Sequence, residues 1–126
     1  DLAEDELITE ILLPKEGLDN YGYEKVGARN ALAISRVSFA GILQMQEDRI
    51  RHIAIAFGAV EDVVVRHKEI EKMLEGKTLA EAKALKEEFL NAYDKAITPN
   101  RGRVSADYRK KVCMNLLRDF LQQKGI

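Results

Sequence analysis

The chain has little of the chemistry on which most catalytic and metal-binding proteins depend. Its 126 residues include one cysteine, two histidines and no tryptophan. A single thiol, Cys113, excludes an intrachain disulfide, a CxxC metal site and an iron–sulfur cluster held by this chain alone. His52 and His67 form no HExxH pair, so metal chemistry has little support. One lone cysteine also fits a reducing cytoplasm.

Excess charge of one sign and long apolar runs are also missing. The chain has 20 basic and 21 acidic residues and a formal net charge of −1, so we expect no general attraction to nucleic acid or an anionic membrane. Its apolar runs are far shorter than the roughly 20 residues of a membrane helix. The first residues lack a basic stretch followed by an apolar one, so no signal peptide is expected. Asp1 in place of methionine fits a start inside a longer polypeptide, or a trimmed N-terminus.

Nucleotide-binding glycine loops and hydrolase signatures are absent as well. No GxGxxG, GxxxxGK[ST] or GxSxG pattern occurs. Cys113 lies in an apolar stripe and is predicted to be a small buried side chain, not a nucleophile. Because no aromatic residues interleave it, the densest basic stretch is predicted to be a solvated face; its members are Arg101, Arg103, Arg109, Lys110 and Lys111.

What the chain does have is strand periodicity from about residue 6 to residue 66. Apolar residues alternate in segments 6–13, 21–26, 36–46 and 49–57, which predicts four strands. Glu47-Asp48 predicts a tight hairpin between the last two. In the last strand the alternation predicts that Arg51 shares a face with Ile53, and that Ile50 lies on the other face.

The second half, from about residue 67 to residue 126, has helical periodicity. A short helix over 67–75 is predicted to end at Gly76. Thr78 and Glu81 form a capping box for the next helix, and Ser105 is predicted to cap the last. An apolar stripe that includes Tyr108 and Phe120 is predicted to be core. Strands followed by helices predict a single α+β domain, residues 1–126, with an antiparallel sheet of three to four strands packed on about three helices.

One connection does not fit a simple hairpin. Between the second and third strands runs an apolar stretch, 31–34, framed by Lys25, Arg29 and Arg36, whereas a hairpin turn needs two to five polar residues. Such a tip between cations would suit a flat, partly anionic aromatic ligand or a partner surface. Equally, the run could fold back into the core or prolong the strand.

Four segments resemble one family in its order along the chain. KVGARNALAISRV resembles its K-V-G-x-R-x-A-x-A-I-S-x-V signature, ELITEILLP its opening strand, IRHIAIAFGAV a later strand and turn, and SADYRKKVCMNLLRDFL its closing helix. The family is the C-terminal domain of the FAD-binding (medium) subunit of molybdenum hydroxylases, which include xanthine dehydrogenase and aerobic carbon monoxide dehydrogenase.

The resemblance implies a role in electron transfer that the chain cannot perform by itself. In that family a subunit with molybdopterin oxidises the substrate, 2Fe-2S clusters pass electrons on, and FAD delivers them to NAD or another acceptor. FAD is held mostly by the N-terminal and middle domains of the same subunit, which this sequence lacks. The expected partners are those domains, the molybdenum subunit and the iron–sulfur subunit, and the isolated chain is expected to catalyse nothing.

The resemblance also implies which residues lie near the flavin: Lys25, Arg29, Ala33 and Ile34. Lys25 would favour the negative charge of the reduced ring, Ile34 would form an apolar wall, and Arg29 would shape the approach of an acceptor. Tyr108 and Arg109 would be structural, a buried ring beside a cation tied to the domain surface. The small apolar loop resembles bacterial members, so the dehydrogenase–oxidase switching of eukaryotic xanthine dehydrogenases is not carried over. The competing hypothesis is a non-catalytic interaction or dimerisation module with 31–34 in its interface.

Overall fold

Three strands and three helices make up the part of the chain that the computed structural model describes, residues 2–13, 20–29, 32–100, 102 and 104–126. In chain order they are β1 (Tyr21–Val26), β2 (Val37–Gln46), β3 (Arg49–Gly58), α1 (Lys68–Glu71), α2 (Leu79–Ala96) and α3 (Ala106–Gln123). The strands form one antiparallel sheet in the order β1-β2-β3. The predicted α+β fold, with helices on one face of an antiparallel sheet, is confirmed.

The predicted hairpin joins β2 and β3 through Glu47 and Asp48, and Glu47 has the positive φ of 56° that such a tight turn requires. A register shift follows, because Gln44 pairs with His52 while Met45 pairs with Ile50. Arg51 is therefore the extra residue of a bulge. The bulge exposes Arg51 and buries Ile50, so the alternation predicted for this end of the strand was wrong.

The core lies between one face of the sheet and the helices. The buried side chains of the sheet on this face are Val37, Phe39, Leu43, Ile50, Ile53, Ile55 and Phe57. Phe57 contacts Tyr93 of α2 edge-on, with ring centroids 6.3 Å apart, and Phe39 lies 5.4 Å from Phe120 of α3. Cys113 is buried among these residues, and desolvation raises the pKa of its thiol to about 12. The prediction that Cys113 is buried is confirmed, and the raised pKa disfavours the thiolate, which is the nucleophilic form.

Local capping signals fix the helix ends. The Thr78 backbone N–H donates to the Glu81 carboxylate at 2.8 Å, and the Thr78 hydroxyl accepts from the Glu81 N–H at 3.2 Å. Ser105 caps α3 by accepting from the Tyr108 N–H. Gly76 ends the turns that follow α1 with a φ of 77°. These predictions are confirmed, although α1 is only four residues long because the chain after it turns to bond with β3.

The outer edge of β3 is covered at both ends, and at Ile55, by the chain that follows it. Phe57 and Val65 exchange backbone hydrogen bonds of 2.9 and 2.8 Å, and Ile50 bonds with Gly76 and Lys77 at the other end. Between them, the Ile55 N–H donates to the carboxylate of Glu71 at 2.8 Å. This edge is therefore closed to further strand pairing.

Segment 6–13 was predicted to be a strand, and that prediction was wrong for the described part of the chain. It pairs with no strand there, and its apolar side chains are exposed: Leu7, Ile8, Ile11, Leu12 and Leu13. A strand of this kind needs a sheet edge for its backbone and a core for its apolar face. The outer edge of β1 has no strand beside it in the described residues, but segment 6–13 does not pair with it, so the sheet has three strands.

Deleting residues 1–13 should therefore leave the free energy of unfolding of the chain unchanged within about 0.5 kcal/mol. Urea denaturation followed by circular dichroism, with the 126-residue chain as reference, would measure it. A loss of several kcal/mol would mean that the segment packs on the sheet after all.

Candidate functional site

The connection between β1 and β2 is a closed loop with an exposed tip. The Arg36 N–H donates to the Val26 carbonyl at 2.8 Å and closes its base. Gly27 allows the two arms of the loop to meet, because a Cβ there would lie 2.8 Å from the Cβ of Ala33. The Arg29 guanidinium donates to the Leu32 carbonyl at 2.8 Å. This bond holds Leu32 in a left-handed conformation, with a φ of 51°.

The apolar side chains of this tip face outward. Leu32 is 95% exposed and Ile34 is 81% exposed, while Ala33 is half-buried. Burying one such leucine or isoleucine would contribute about 1.5–3 kcal/mol, which this chain forgoes. The alternative in which the run folds into the core, or prolongs β2, is therefore wrong for residues 32–34. Ala31, which belongs to the same predicted run, lies outside the described residues.

A depression of about 720 Å³ lies between this loop and the start of α3. Three of the four predicted site residues line it, namely Arg29, Ala33 and Ile34. Lys25 does not. It is exposed on β1 opposite Ser38, and strand alternation places it with Tyr21 and Tyr23 on the sheet face away from the helices.

Two arginines that were not among the predicted site residues also line this depression. Arg36 directly precedes β2, and Arg109 lies in the first turns of α3. The Nε of Arg109 is buried and has no hydrogen-bond partner among the described residues, so the solvated face predicted for it was wrong. The Ser105 cap correctly predicted that Arg109 lies in the first turns of a helix. The sequence could not show that this helix packs beside the β1–β2 loop, because that contact depends on the tertiary fold. Tyr108 was predicted to be buried, yet its ring is 39% exposed.

The rest of the predicted basic stretch does not join the site. Lys110 lies 3.6 Å from the Asp94 carboxylate, and Lys111 is exposed, as a solvated face predicts. Arg101 and Arg103 lie outside the described residues.

The sheet face away from the helices is flat. Its central side chains are short ones, Ser38 and Ala40 on β2 and Ala54 and Ala56 on β3, and none of them is buried. Tyr21 and Tyr23 border them and are more than half exposed. His52, at the far end, lies 2.9 Å from a Glu75 carboxylate oxygen, so this histidine has an ordinary surface partner.

Metal-binding clusters and membrane-spanning helices are both absent from the described ranges. No three His, Cys, Asp or Glu side chains come together there in a way that could hold a metal ion. No helix there has the length and apolar character needed to cross a membrane.

The chain is similar to a known domain family and to several solved structures. The model of the CO dehydrogenase flavoprotein C-terminal domain matches residues 23–124. Quinoline 2-oxidoreductase from Pseudomonas putida 86 superposes with a TM-score of 0.67 at 20% identity, over 84% of this chain and 36% of that one. The Cu,Mo-CO dehydrogenase in its cyanide-inactivated form gives 0.64 at 25%, over 79% and 34%. CO dehydrogenase from Oligotropha carboxidovorans gives 0.65 at 24%, over 79% and 34%.

These matches cover most of this chain but only a part of each relative. The chain spans about a third of the length of the solved chains that it matches. A search of curated sequences found no match. The structural similarities at 20% and 24% identity show the fold alone. The family model matches well more than half of the chain, and this match shows the family. This chain belongs to the CO dehydrogenase flavoprotein C-terminal domain family.

Proposed function

We propose that this chain is the C-terminal domain of the FAD-binding subunit of a cytoplasmic molybdenum hydroxylase, and that it packs beside the flavin. The observation that carries the proposal is the exposed apolar tip, Leu32 to Ile34, flanked by Arg29 and Arg36. An apolar wall between cations suits a flat aromatic ring that gains negative charge on reduction. When bound by the complete subunit, FAD would pass electrons from the 2Fe-2S clusters to NAD or another acceptor.

The residues fit the ring end of FAD and not its whole length. Ile34 would pack against the ring, Ala33 would let it approach closely, and Arg29 would shape the way in for an acceptor. The sequence contains no glycine-rich phosphate loop. The N-terminal and middle domains of the same subunit would therefore hold most of the cofactor.

Several uncovered surfaces support packing against further polypeptide. The loop tip, the flat sheet face and the apolar residues of segment 6–13 are all exposed, and contiguous exposed apolar surface usually marks an interaction site. The matched chains are a little over twice as long as this one, because 79–84% of this chain covers only 34–36% of each of them. We assign these surfaces to contacts within the FAD-binding subunit. Contacts with the molybdenum and iron–sulfur subunits would follow from the assembly of the parent enzyme.

The isolated chain should fold but bind no FAD stoichiometrically, because its fold supplies only the ring-side contacts. After purification it should show no flavin absorbance near 450 nm, and calorimetric titration with FAD should show at most weak binding. The complete subunit is the positive control. Tight one-to-one binding by this chain alone would contradict the proposal that the cradle lies elsewhere.

Lys25 allows a second test, made in the complete subunit. Lys25→Ala should lower the flavin midpoint potential by about 20 mV, the two-electron equivalent of about 1 kcal/mol of charge interaction. Spectroelectrochemical titration would measure it, with the exposed Lys83→Ala on α2 as control. Lys25 lies on the flat sheet face and not in the depression. An unchanged midpoint potential would therefore reject an electrostatic role for Lys25. The flavin ring would then be expected beside the β1–β2 loop and not beside the sheet face that carries Lys25.

A further inference from the structure

Three arginines, Arg29, Arg36 and Arg109, line the depression between the β1–β2 loop and α3. We call this place the arginine depression. Its other lining residues are Ala28, Leu32, Ala33, Ile34, Ser35, Gly102 and Val104, so none of its described lining residues carries a carboxylate. The described lining of the depression therefore contains three cations and no anion.

Within the described ranges, none of these three arginines forms an ion pair. Elsewhere on the molecule arginines do find carboxylates: Arg49 lies 3.5 Å from Glu81, and Arg66 lies 2.9 Å from Glu71. The chain has 21 acidic residues, one more than its basic ones. Like charges that share a concave surface repel one another. An anion bound among the three arginines would offset that repulsion. Arginines on an open, solvated surface would need no such anion, because water screens their charges.

Arg109 supplies an independent observation. Its Nε is buried but has no acceptor among the described residues. A buried donor without a partner is rare in folded proteins, and an unplaced ligand or ion is one recognised explanation. The adjacent N-terminus of α3, an 18-residue helix, adds partial positive charge on the same side.

From this geometry we infer that the arginine depression binds a phosphate or pyrophosphate group of a nucleotide. Guanidinium groups hold phosphate oxygens through paired, charge-assisted hydrogen bonds. The exposed Leu32 and Ile34 beside them offer a flat apolar surface to the organic part of the same molecule. A volume of about 720 Å³ is in the range of sites for small organic ligands.

This inference does not depend on where the flavin ring lies, so the 126-residue chain can test it. Isothermal titration with sodium pyrophosphate in a low-salt HEPES buffer should show one saturable site. Arg109→Gln and Arg36→Gln should each weaken binding about tenfold, the usual loss for one charge-assisted contact. Arg118→Gln is the matched control on α3, because Arg118 is exposed and hydrogen-bonds only to Asn115 of its own helix among the described residues.

The possible outcomes separate clearly. No saturable binding at millimolar pyrophosphate would overturn the inference, as would equal weakening by Arg118→Gln, which would indicate unspecific charge attraction. Circular dichroism checks that each variant is folded. If Arg109→Gln does not fold, the result for Arg36→Gln alone tests the inference.

An experiment on the complete subunit loaded with FAD distinguishes two possible sources of the bound phosphate group, the electron acceptor and FAD itself. If pyrophosphate still binds there and competes with a nicotinamide dinucleotide, the group belongs to the electron acceptor. If Arg109→Gln instead lowers FAD content, it belongs to the flavin nucleotide. Either result supports the site. Binding of pyrophosphate by the chain alone also keeps this inference testable if the proposed flavin contact fails.

Discussion

Phe120→Ala should lower the free energy of unfolding by about 3–5 kcal/mol, which is a large share of the 5–15 kcal/mol available to a domain. The ring is 3% exposed and lies over Gly22 of β1 and Gly41 of β2, which pair with each other across the sheet. A Cβ on either glycine would come within 2.8 Å of the ring. The two glycines therefore form a slot that the ring fills, and alanine would leave this slot empty. Urea denaturation would measure the loss, with the partly buried Leu116→Ala of α3 as a milder comparison.

The close fit between the Phe120 ring and the two glycines also means that adding a side chain to one of the glycines should destabilise the fold. Gly41→Ala places a methyl group against the ring and should destabilise by about 1–3 kcal/mol. In a Phe120→Leu background the smaller side chain leaves room for that methyl group. A double-mutant cycle should then show a coupling of about 0.5–3 kcal/mol. If the two changes add within about 0.3–0.5 kcal/mol, the ring does not depend on the glycine slot.

The sequence predicted well those features that depend on neighbouring residues. The Thr78 capping box, the Ser105 cap and the two-residue turn at Glu47-Asp48 are all local, and all are confirmed. The apolar stripe of α3 correctly placed Phe120 in the core. The partners of that ring were out of reach, because the pairing of Gly22 with Gly41 depends on a register set across a long loop.

Features that depend on distant parts of the chain were missed or misplaced. Alternation in segment 6–13 indicates a strand, but it cannot show which strand the segment pairs with, and it pairs with none in the described part of this chain. The bulge that turns Ile50 inward is set by the pairing of β2 with β3, not by the pattern of either strand. The apolar run in place of a polar turn drew attention to a loop whose Leu32 and Ile34 are exposed, but the residues alone left open whether the run would fold into the core. Its meeting with Arg109, some seventy positions later, is a product of the tertiary fold.

Glu71 is the clearest case of a residue whose role its sequence context hides. It stands among other acidic residues in KEIEKMLE, yet it is only 2% exposed. One carboxylate oxygen accepts from the Ile55 N–H at 2.8 Å, and the other accepts from Arg66 Nη2 at 2.9 Å. The carboxylate thus takes the place of a neighbouring strand at the edge of β3. It also anchors α1, a helix of four residues whose N-cap has no side-chain hydrogen bond.

Glu71→Ala should therefore cost about 3 kcal/mol of unfolding free energy. It leaves the buried Ile55 N–H without an acceptor, which costs about 1–3 kcal/mol, and it removes the ionic partner of Arg66. Arg66 is about one-third exposed, so water recovers part of that second loss. Glu71→Gln keeps an oxygen for the Ile55 N–H and should cost less.

Glu69→Ala is the matched control, two residues away on the same short helix. Its side chain is 84% exposed and pairs only with Lys72 among the described residues, at 2.9 Å. Such a surface pair is worth little, so this change should stay within about 0.5 kcal/mol. Hydrogen exchange adds a site-specific measurement, since the Ile55 amide should lose protection in Glu71→Ala and keep it in Glu69→Ala. Equal losses in the two variants would mean that the Glu71 carboxylate does not hold the edge of β3, and that the covering chain alone protects it.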